Sequence, residues 1–442
     1  MDRRSFLKTA ATTAATIPLF SLGARVAAGE RRPWDATYGP LAPVVDETTG
    51  LPLLMLPQGF RYVSFGWMGD PMVGGGVTPT LHDGMAAYDG GAGLVRLVRN
   101  HEVGRGTPFT SARYDPAAGG GTTTVEFDTV AERPNGTWAT LSGTIRNCAG
   151  GPTPWGTWLT CEETNEFTSM PHGYVFEVPT VGVGDPAPIR DMGRFSHEAL
   201  AIDPATGNVY LTEDAGNSSG FYKFVPNEKE NLAAGGQLFM MKVGGVKTTH
   251  HNLYEGFANG TRFWVEWVPI EAPDNTASNS PGNFVWAQGR AQGAATFGRL
   301  EGCWYGHGKI YFVSTDGGAA RQGQIWEYSP DKRYIRLVFE SPGSATLNAP
   351  DNITVSPRGG LVLCEDGGGE EFLHGLTVTG TIFPFAKNNV VLNGERNGIR
   401  GDFRGIEWAG ACYSPDGKWL FANIQTPGIT FAITGPWQEG AL

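Results

Sequence analysis

Short apolar runs separated by turn residues set the rhythm of this 442-residue chain. Four of them read Gly156-Thr-Trp-Leu-Thr-Cys-Glu-Glu163, Asn208-Val-Tyr-Leu-Thr-Glu-Asp214, Lys309-Ile-Tyr-Phe-Val-Ser-Thr-Asp316 and Gly360-Leu-Val-Leu-Cys-Glu-Asp366. Each opens at a turn, is rich in β-branched and aromatic residues and ends on an acid, the pattern of a short buried strand. Fifteen positions ahead of an acid at each strand end stands a residue that binds metals: Cys148 before Glu163, Glu198 before Glu213, Glu301 before Asp316, Asp351 before Asp366. The midpoint of every pair falls on a turn signal, such as Trp155-Gly156 or Gly306-His-Gly308. A strand of about seven residues, a turn and a similar strand back return the chain to its starting level. Both members of each pair are therefore predicted on one rim of a sheet. Looser copies lie at Gly93–Glu102 and Ser414–Asn423, the latter with Glu407 sixteen residues before Asn423.

Repeats of about 50 residues, each with short β runs and turns, predict an all-β propeller with its ligand-type residues on the central rim. The spacing gives six blades, or seven if the long gap between Asp214 and Asp316 holds an unmarked one. No stretch sustains a 3.6-residue apolar period. Glycine (64 residues) and aromatics (11 %) are plentiful and charged residues sparse (17 %), which suits tight turns and packed sheets. The expected division is a signal over 1–28, an extension over 29–49 and the propeller over 50–442. The first segment begins Met1-Asp-Arg-Arg-Ser-Phe-Leu-Lys8, continues through an Ala/Thr-rich stretch and reaches small residues at Val26-Ala-Ala28. That is the layout of a twin-arginine export signal, too short and polar for a membrane anchor. A periplasmic or extracellular location follows, with the twin-arginine machinery as a transient partner and a monomer as the expected state.

A net charge of −11 argues against a nucleic-acid surface and suits cation binding, since clustered acids repel one another without a counter-ion. Carboxylates at converging strand ends offer the oxygens that calcium takes. Cys148 stands where the other repeats place an acid, and a thiolate there points to a softer, redox-capable ion such as iron. Of the other four cysteines, Cys161 and Cys364 occupy equivalent strand positions, as do Cys303 and Cys412; sequence leaves open whether the latter pair is bonded. Arg299 lies two residues before Glu301, a cation placed to hold an anionic substrate beside a metal-bound acid. Glu102 is a further candidate ligand, as is Glu407. Asp83 stands at an irregular distance from Glu102, and Asn352 either offers an amide oxygen or closes a turn. His101 and His197 should point away from the rim by strand alternation, and His250-His251 reads as a loop.

The run Asn147-Cys-Ala-Gly-Gly-Pro-Thr-Pro-Trp-Gly-Thr-Trp-Leu-Thr-Cys-Glu-Glu163 resembles the signature of PhoX-type alkaline phosphatases. Arg299-Leu-Glu301, Asn100-His-Glu102 and the twin-arginine signal are similar too, and the likeness runs from about residue 50 onward. The resemblance implies a six-bladed propeller that hydrolyses phosphomonoesters outside the cytoplasm at a centre of iron and calcium. It implies Cys148 as a thiolate bridging irons, Glu163, Glu213 and Glu301 as metal ligands, and Arg299 as the phosphate holder. With Glu198, Glu102, Asp351, Asp366 and Glu407 read from the repeat, the expected metal set is complete. The expected activity is an alkaline phosphatase acting on small phosphorylated substrates. The competing readings are a calcium-stabilised propeller hydrolase of lactonase or phosphodiesterase type and a non-catalytic binding propeller.

Overall fold

The repeats fold into six antiparallel blades whose innermost strands pack side by side around one axis. The computed structural model describes residues 37–244 and 251–442, so the expected signal over 1–28 and His250 lie outside the described residues. From the inside outward, blade 1 is His82–Gly91, Leu94–His101, Gly120–Asp128 and Arg133–Thr144. Blade 2 is Asn147–Pro152, Thr157–Glu162 and Val175–Pro179, and blade 3 begins with His197–Ile202, Val209–Glu213, Phe221–Pro226 and Gly236–Gly244. Blade 4 is Leu300–Gly306, Lys309–Ser314, Gln324–Ser329 and Tyr334–Glu340. Blade 5 is Pro350–Val355, Leu361–Glu365, Phe372–Leu376 and Ile382–Asn388. Blade 6 is Trp408–Tyr413, Leu420–Ile424 and Ile429–Thr434, and Arg61–Phe65 supplies its outer strand. An N-terminal strand in the last blade ties the two ends of the ring together, so the circle has no open edge at its seam.

The long gap in the repeat is an insertion. Blade 3 gains a fifth strand, Arg262–Pro269, whose start pairs with Tyr334–Arg336 of blade 4, and a helix follows at Phe284–Ala291. Blades 3 and 4 thereby share one continuous sheet. Next to blade 4, Leu41–Val44 pairs with Leu54–Pro57, which extends the outer edge of blade 5. Among the described residues no helix is long and apolar enough to cross a membrane.

Apolar side chains fill the spaces between neighbouring blades, as the near-continuous apolar runs require of strands covered on both faces. The seam between blades 6 and 1 buries Val63 and Phe65 against Met85, Val125, Phe127 and Phe421. Trp304, on the inner strand of blade 4, packs against three of these clusters at once. Between the inner strands only a void of about 10 Å³ remains, lined by Gly84, Ala149, Ala199, Gly302, Trp304 and Gly410. That is hardly room for one water.

Candidate metal centre

All six inner strands carry a β-bulge at the same place. Register shifts fall between His82 and Met85, Asn147 and Gly150, His197 and Leu200, Leu300 and Cys303, Pro350 and Ile353, and Ala409 and Cys412. In each, two residues of the inner strand oppose one residue of the second strand. A bulge re-aims its side chain relative to the flanking pleat. The first bulge residue is Asp83, Cys148, Glu198, Glu301, Asp351 and Gly410 in blades 1 to 6. The second is small in most blades, because neighbouring inner strands approach backbone to backbone: a Cβ on Gly302 would lie 2.7 Å from the Asp351 carbonyl oxygen.

A second ring of residues follows the end of each second strand. The amides of Glu102, Glu163, Asp214, Thr315, Asp366 and Gln425 donate to the carbonyls of Leu81, Arg146, Ser196, Arg299, Ala349 and Glu407. This register explains which expected ligands meet. Cys148, Glu163 and Glu198 bring ligand atoms within 4.8 Å of one another, as do Glu198, Glu301 and Asp351. Asp351, Asp366 and Glu407 form a third group, and Asp83, Glu102 and Glu407 a fourth. Successive groups share Glu198, Asp351 and Glu407, so nine side chains from six blades form a chain around the mouth.

Four residues are placed differently from the expectation. Glu213 lies outside these groups: it pairs with His197 in the strand register, and its Oε2 accepts from the Gly220 amide and from the Tyr222 hydroxyl. One residue along, Asp214 takes the rim position, since a shift of one reverses the face. Asp214 in turn accepts from Arg299 Nε at 3.2 Å. Asp316 likewise leaves the rim set and accepts from Arg321 Nε at 2.8 Å. Glu407 is not the counterpart of Asp351 in its blade, because the bulge position there is Gly410; it joins the rim from the residue before the strand. Asp83 is a full member that the irregular spacing obscured. Its hairpin has strands of ten and eight residues, so its partner Glu102 comes nineteen residues later around the same kind of turn.

The electrostatics of this ring are those of an excess of acids in little water. Burial first, then Glu301 and Asp351, push Glu198 well above the usual carboxylate range. Burial and then Asp214 and Asp351 do the same to Glu301, and burial with Glu102 and Asp351 to Asp83. Burial and the neighbouring acids outweigh the pull of Arg146 and bring Glu163 to about 8, and burial with Asp366 brings Asp351 to about 7. Burial, Asp83 and Glu198 raise the Cys148 thiol, whose Sγ donates to Glu198 Oε1 at 3.1 Å. Glu198 is wholly buried, and among the described residues its Oε2 has no hydrogen-bond partner. Buried carboxylate oxygens are normally satisfied, and one left bare beside Cys148, Glu163 and Glu301 fits a cation.

Supporting residues hold this ring in place. The buried Asn100 amide donates to the carbonyls of Cys148 and Ala149 at 3.1 and 2.7 Å, while its oxygen accepts from Trp158 Nε1 and Thr160 Oγ1. It fixes the backbone that carries the thiol. Asn352 closes a junction: its oxygen accepts from the Gly410 amide at 2.7 Å. His101 bonds Thr80 and Thr123, and His197 stacks on Phe195, both away from the mouth. The five cysteines are free and buried, so Cys303 and Cys412 are not bonded to each other. Two arginines border the acids. Arg299 Nη2 donates to Glu301 Oε1 at 2.6 Å, and Arg146 donates from Nε to Glu102 at 3.1 Å and from Nη2 to Glu163 at 2.5 Å.

A search of curated proteins returned no match. The PhoX of Pseudomonas fluorescens, solved in complex with vanadate as a transition-state analogue, superposes with a TM-score of 0.64 at 17 % identity, over 92 % of this chain and 99 % of that one. That likeness shows the shared propeller fold. A gluconolactonase of Xanthomonas campestris and the calcium-binding regucalcin of Agrobacterium tumefaciens align over 90 % and 86 % of the chain and 98 % of each of theirs. Their identities are 12 % and 11 % and their TM-scores 0.42 and 0.40. The family model described as alkaline phosphatase PhoX matches residues 36–134 and 116–428. The chain belongs to the PhoX alkaline phosphatase family.

Proposed function

We propose that the protein is an exported phosphomonoesterase whose rim holds a mixed set of iron and calcium ions. The observation that carries this reading is the group of Cys148, Glu163 and Glu198, where a thiol sits among raised carboxylates and Glu198 Oε2 lacks a partner. A sulfur ligand favours a transition metal, so iron is assigned to this group. The groups Asp351, Asp366, Glu407 and Asp83, Glu102, Glu407 hold only carboxylates and suit calcium. Export rests on the twin-arginine layout of Met1–Lys8 and the small residues at Val26-Ala-Ala28, and gives a periplasmic or extracellular address.

When bound, the cations supply charge neutralisation and Lewis-acid polarisation of the phosphoryl oxygens. The chain's own residues do the rest. Arg299 is half-exposed and spends Nε on Asp214 and one side of Nη2 on Glu301, which leaves the Nη1 side of its fork for a phosphate. Burial opposes its charge, but Glu301 and Asp214 more than offset that and keep it firmly protonated. It therefore offers fixed donors to the charge that develops on the transferring group. No serine stands in a nucleophile-elbow motif, which argues against a covalent triad, and attack of an oxygen nucleophile on phosphorus with departure of the alcohol is the expected route. Trp304 and the small bulge residues close the floor, so substrate reaches and leaves the rim from one side.

Elemental analysis and assays on a chromogenic phosphomonoester and diester test the proposal. The wild-type protein should contain iron and calcium and favour the monoester. Cys148→Ser should lose iron while keeping calcium, and lose phosphatase activity by roughly a hundredfold or more, the scale of removing a group that holds transition-state charge. Calcium alone in the wild type, or full iron in the Cys148→Ser protein, would sink the mixed-metal reading.

A further inference from the structure

We propose that Arg146 is a second phosphate-binding side chain, paired with Arg299; this rests on reading the rim as a phosphoester site. The two arginines occupy the same place in blades 2 and 4. Each immediately precedes its inner strand and stands two residues ahead of a bulge ligand, as Arg146-Asn-Cys148 and Arg299-Leu-Glu301. The carbonyl of each accepts the amide that follows the second strand, from Glu163 and from Thr315. Both have left-handed backbone, with φ of 50° and 43°, a feature of this position that Leu81 and Ala349 share in blades 1 and 5. Such a conformation is unfavourable for a long side chain and is held only where the surroundings impose it.

Their side chains are used alike. Arg146 gives Nε to Glu102 and Nη2 to Glu163; Arg299 gives Nε to Asp214 and Nη2 to Glu301. Among the described residues no hydrogen bond is made from Nη1 of either. The side chains are 45 % and 39 % exposed, so both guanidiniums are accessible from the mouth. Burial works against the charge of Arg146, and Glu163 with Glu102 more than restores it.

The placement gives the pair its purpose. Glu163 and Glu301 belong to the two ligand groups joined through Glu198, so a guanidinium borders each end of that stretch. Glu102 and Glu163 are themselves members of the rim set. Once their charge is directed at cations, Arg146 loses its full counter-charge, and a phosphate dianion supplies one. Two forks on two sides match an oxyanion that presents several oxygens. Arg146 is thus assigned to holding substrate and product phosphate.

The test compares metal-loaded wild-type, Arg146→Gln and Arg146→Lys proteins for metal content and for binding of inorganic phosphate by calorimetry. Arg146→Gln should keep its metals and bind phosphate roughly tenfold or more weakly, the loss expected for one charge-assisted fork, with Arg146→Lys in between. The KM for a monoester should rise in the same order. Phosphate affinity equal to wild type in Arg146→Gln would overturn the assignment. So would loss of metal from both variants, which would make Arg146 a positioning residue for Glu102 and Glu163. If Arg146→Gln cannot be recovered folded, the same comparison is made with Arg146→Lys, where unchanged affinity overturns the assignment. Failure of the metal-loaded wild type to bind phosphate would instead refute the phosphoester reading itself.

Discussion

A single register position separates the acids at the mouth from the acids inside the blades. Glu213 and Asp214 are adjacent, yet one is sealed against Tyr222 and the other faces Arg299. We expect Glu213→Gln to leave metal content unchanged, because Gln keeps an oxygen to accept from Tyr222 and Gly220. Glu198→Gln should lower metal content, since Glu198 joins two ligand groups and loses its charge. Elemental analysis of the two purified variants checks this, and intact metal in Glu198→Gln would remove Glu198 from the site. The fifteen-residue spacing found Cys148, Glu163, Glu198, Glu301, Asp351 and Asp366 because their hairpins have nearly equal strands. It passed over Asp83 because longer strands stretch that hairpin. It also chose Glu213 over its neighbour, since nothing in Thr-Glu-Asp says which acid follows the last ladder pair. Arg146 was open to the same reasoning as Arg299, as both stand two residues before a bulge ligand.

At the scale of the element, the bulge is what turns a blade into part of a site. An unbulged inner strand would alternate its side chains between neighbouring blades, and a second small residue is needed where the strands nearly touch. Gly302 is the clearest case. A Cβ there would meet the Asp351 oxygen and the Ile353 nitrogen at 2.7 Å, both backbone atoms that cannot swing aside. Gly302→Ala should therefore destabilise by about 1–3 kcal/mol, the usual range for overpacking, and displace Asp351. Gly104 has open space around its Cβ position, and Gly104→Ala should stay within about 0.5 kcal/mol of wild type. Urea melts of the two variants check the pair, and equal midpoints would show that the inner strands yield. Gly302 stands beside Glu301 in the sequence, but the bulge itself is not legible there. A bulge changes pairing without changing the apolar pattern, and only the register reveals it. The same limit left the segment between Asp214 and Asp316 undecided, because the extra strand Arg262–Pro269 has no acid at its end to mark it.

Over the whole molecule, the proposed ligand groups would act as staples as well as a site. Each group joins residues of at least two blades, and together they span all six. Stability should therefore depend on cations, and in their absence on pH with a definite sign. Without metal, Glu163 is pushed up to about 8 and Asp351 to about 7, and Asp83, Glu198, Glu301 and Glu407 are raised well above the usual carboxylate range too, chiefly by burial. In an unfolded chain these groups titrate at about 4. Between those limits the folded protein binds more protons than the unfolded one, so stability falls as pH rises. Other groups bear on the same range. Burial lowers His82, His101 and His197, which favours folding as pH rises, but that gain is complete once unfolded histidines are neutral near pH 7. His172, raised by Glu162 and Asp115 against its burial, loses stabilisation as pH rises and so adds to the trend. The hydrogen bonds from Thr168 and neighbouring amides that lower Asp115 are fully effective throughout this range. The window to examine is from about pH 7 to about pH 9. There Glu213, raised to about 8, Glu371, raised to about 7, and the five thiols, all raised by burial, act with the same sign as the rim acids, so the effect of added calcium is what singles out the rim. Chelator-treated protein should show a falling denaturation midpoint across it. Added calcium should raise the midpoint most at the upper end, where the acids must otherwise ionise beside one another. Guanidinium melts with and without calcium measure both effects. A metal-stripped midpoint that rises from pH 7 to pH 9 would mean that the rim acids are not held protonated, and that cations are not what keeps their charges together.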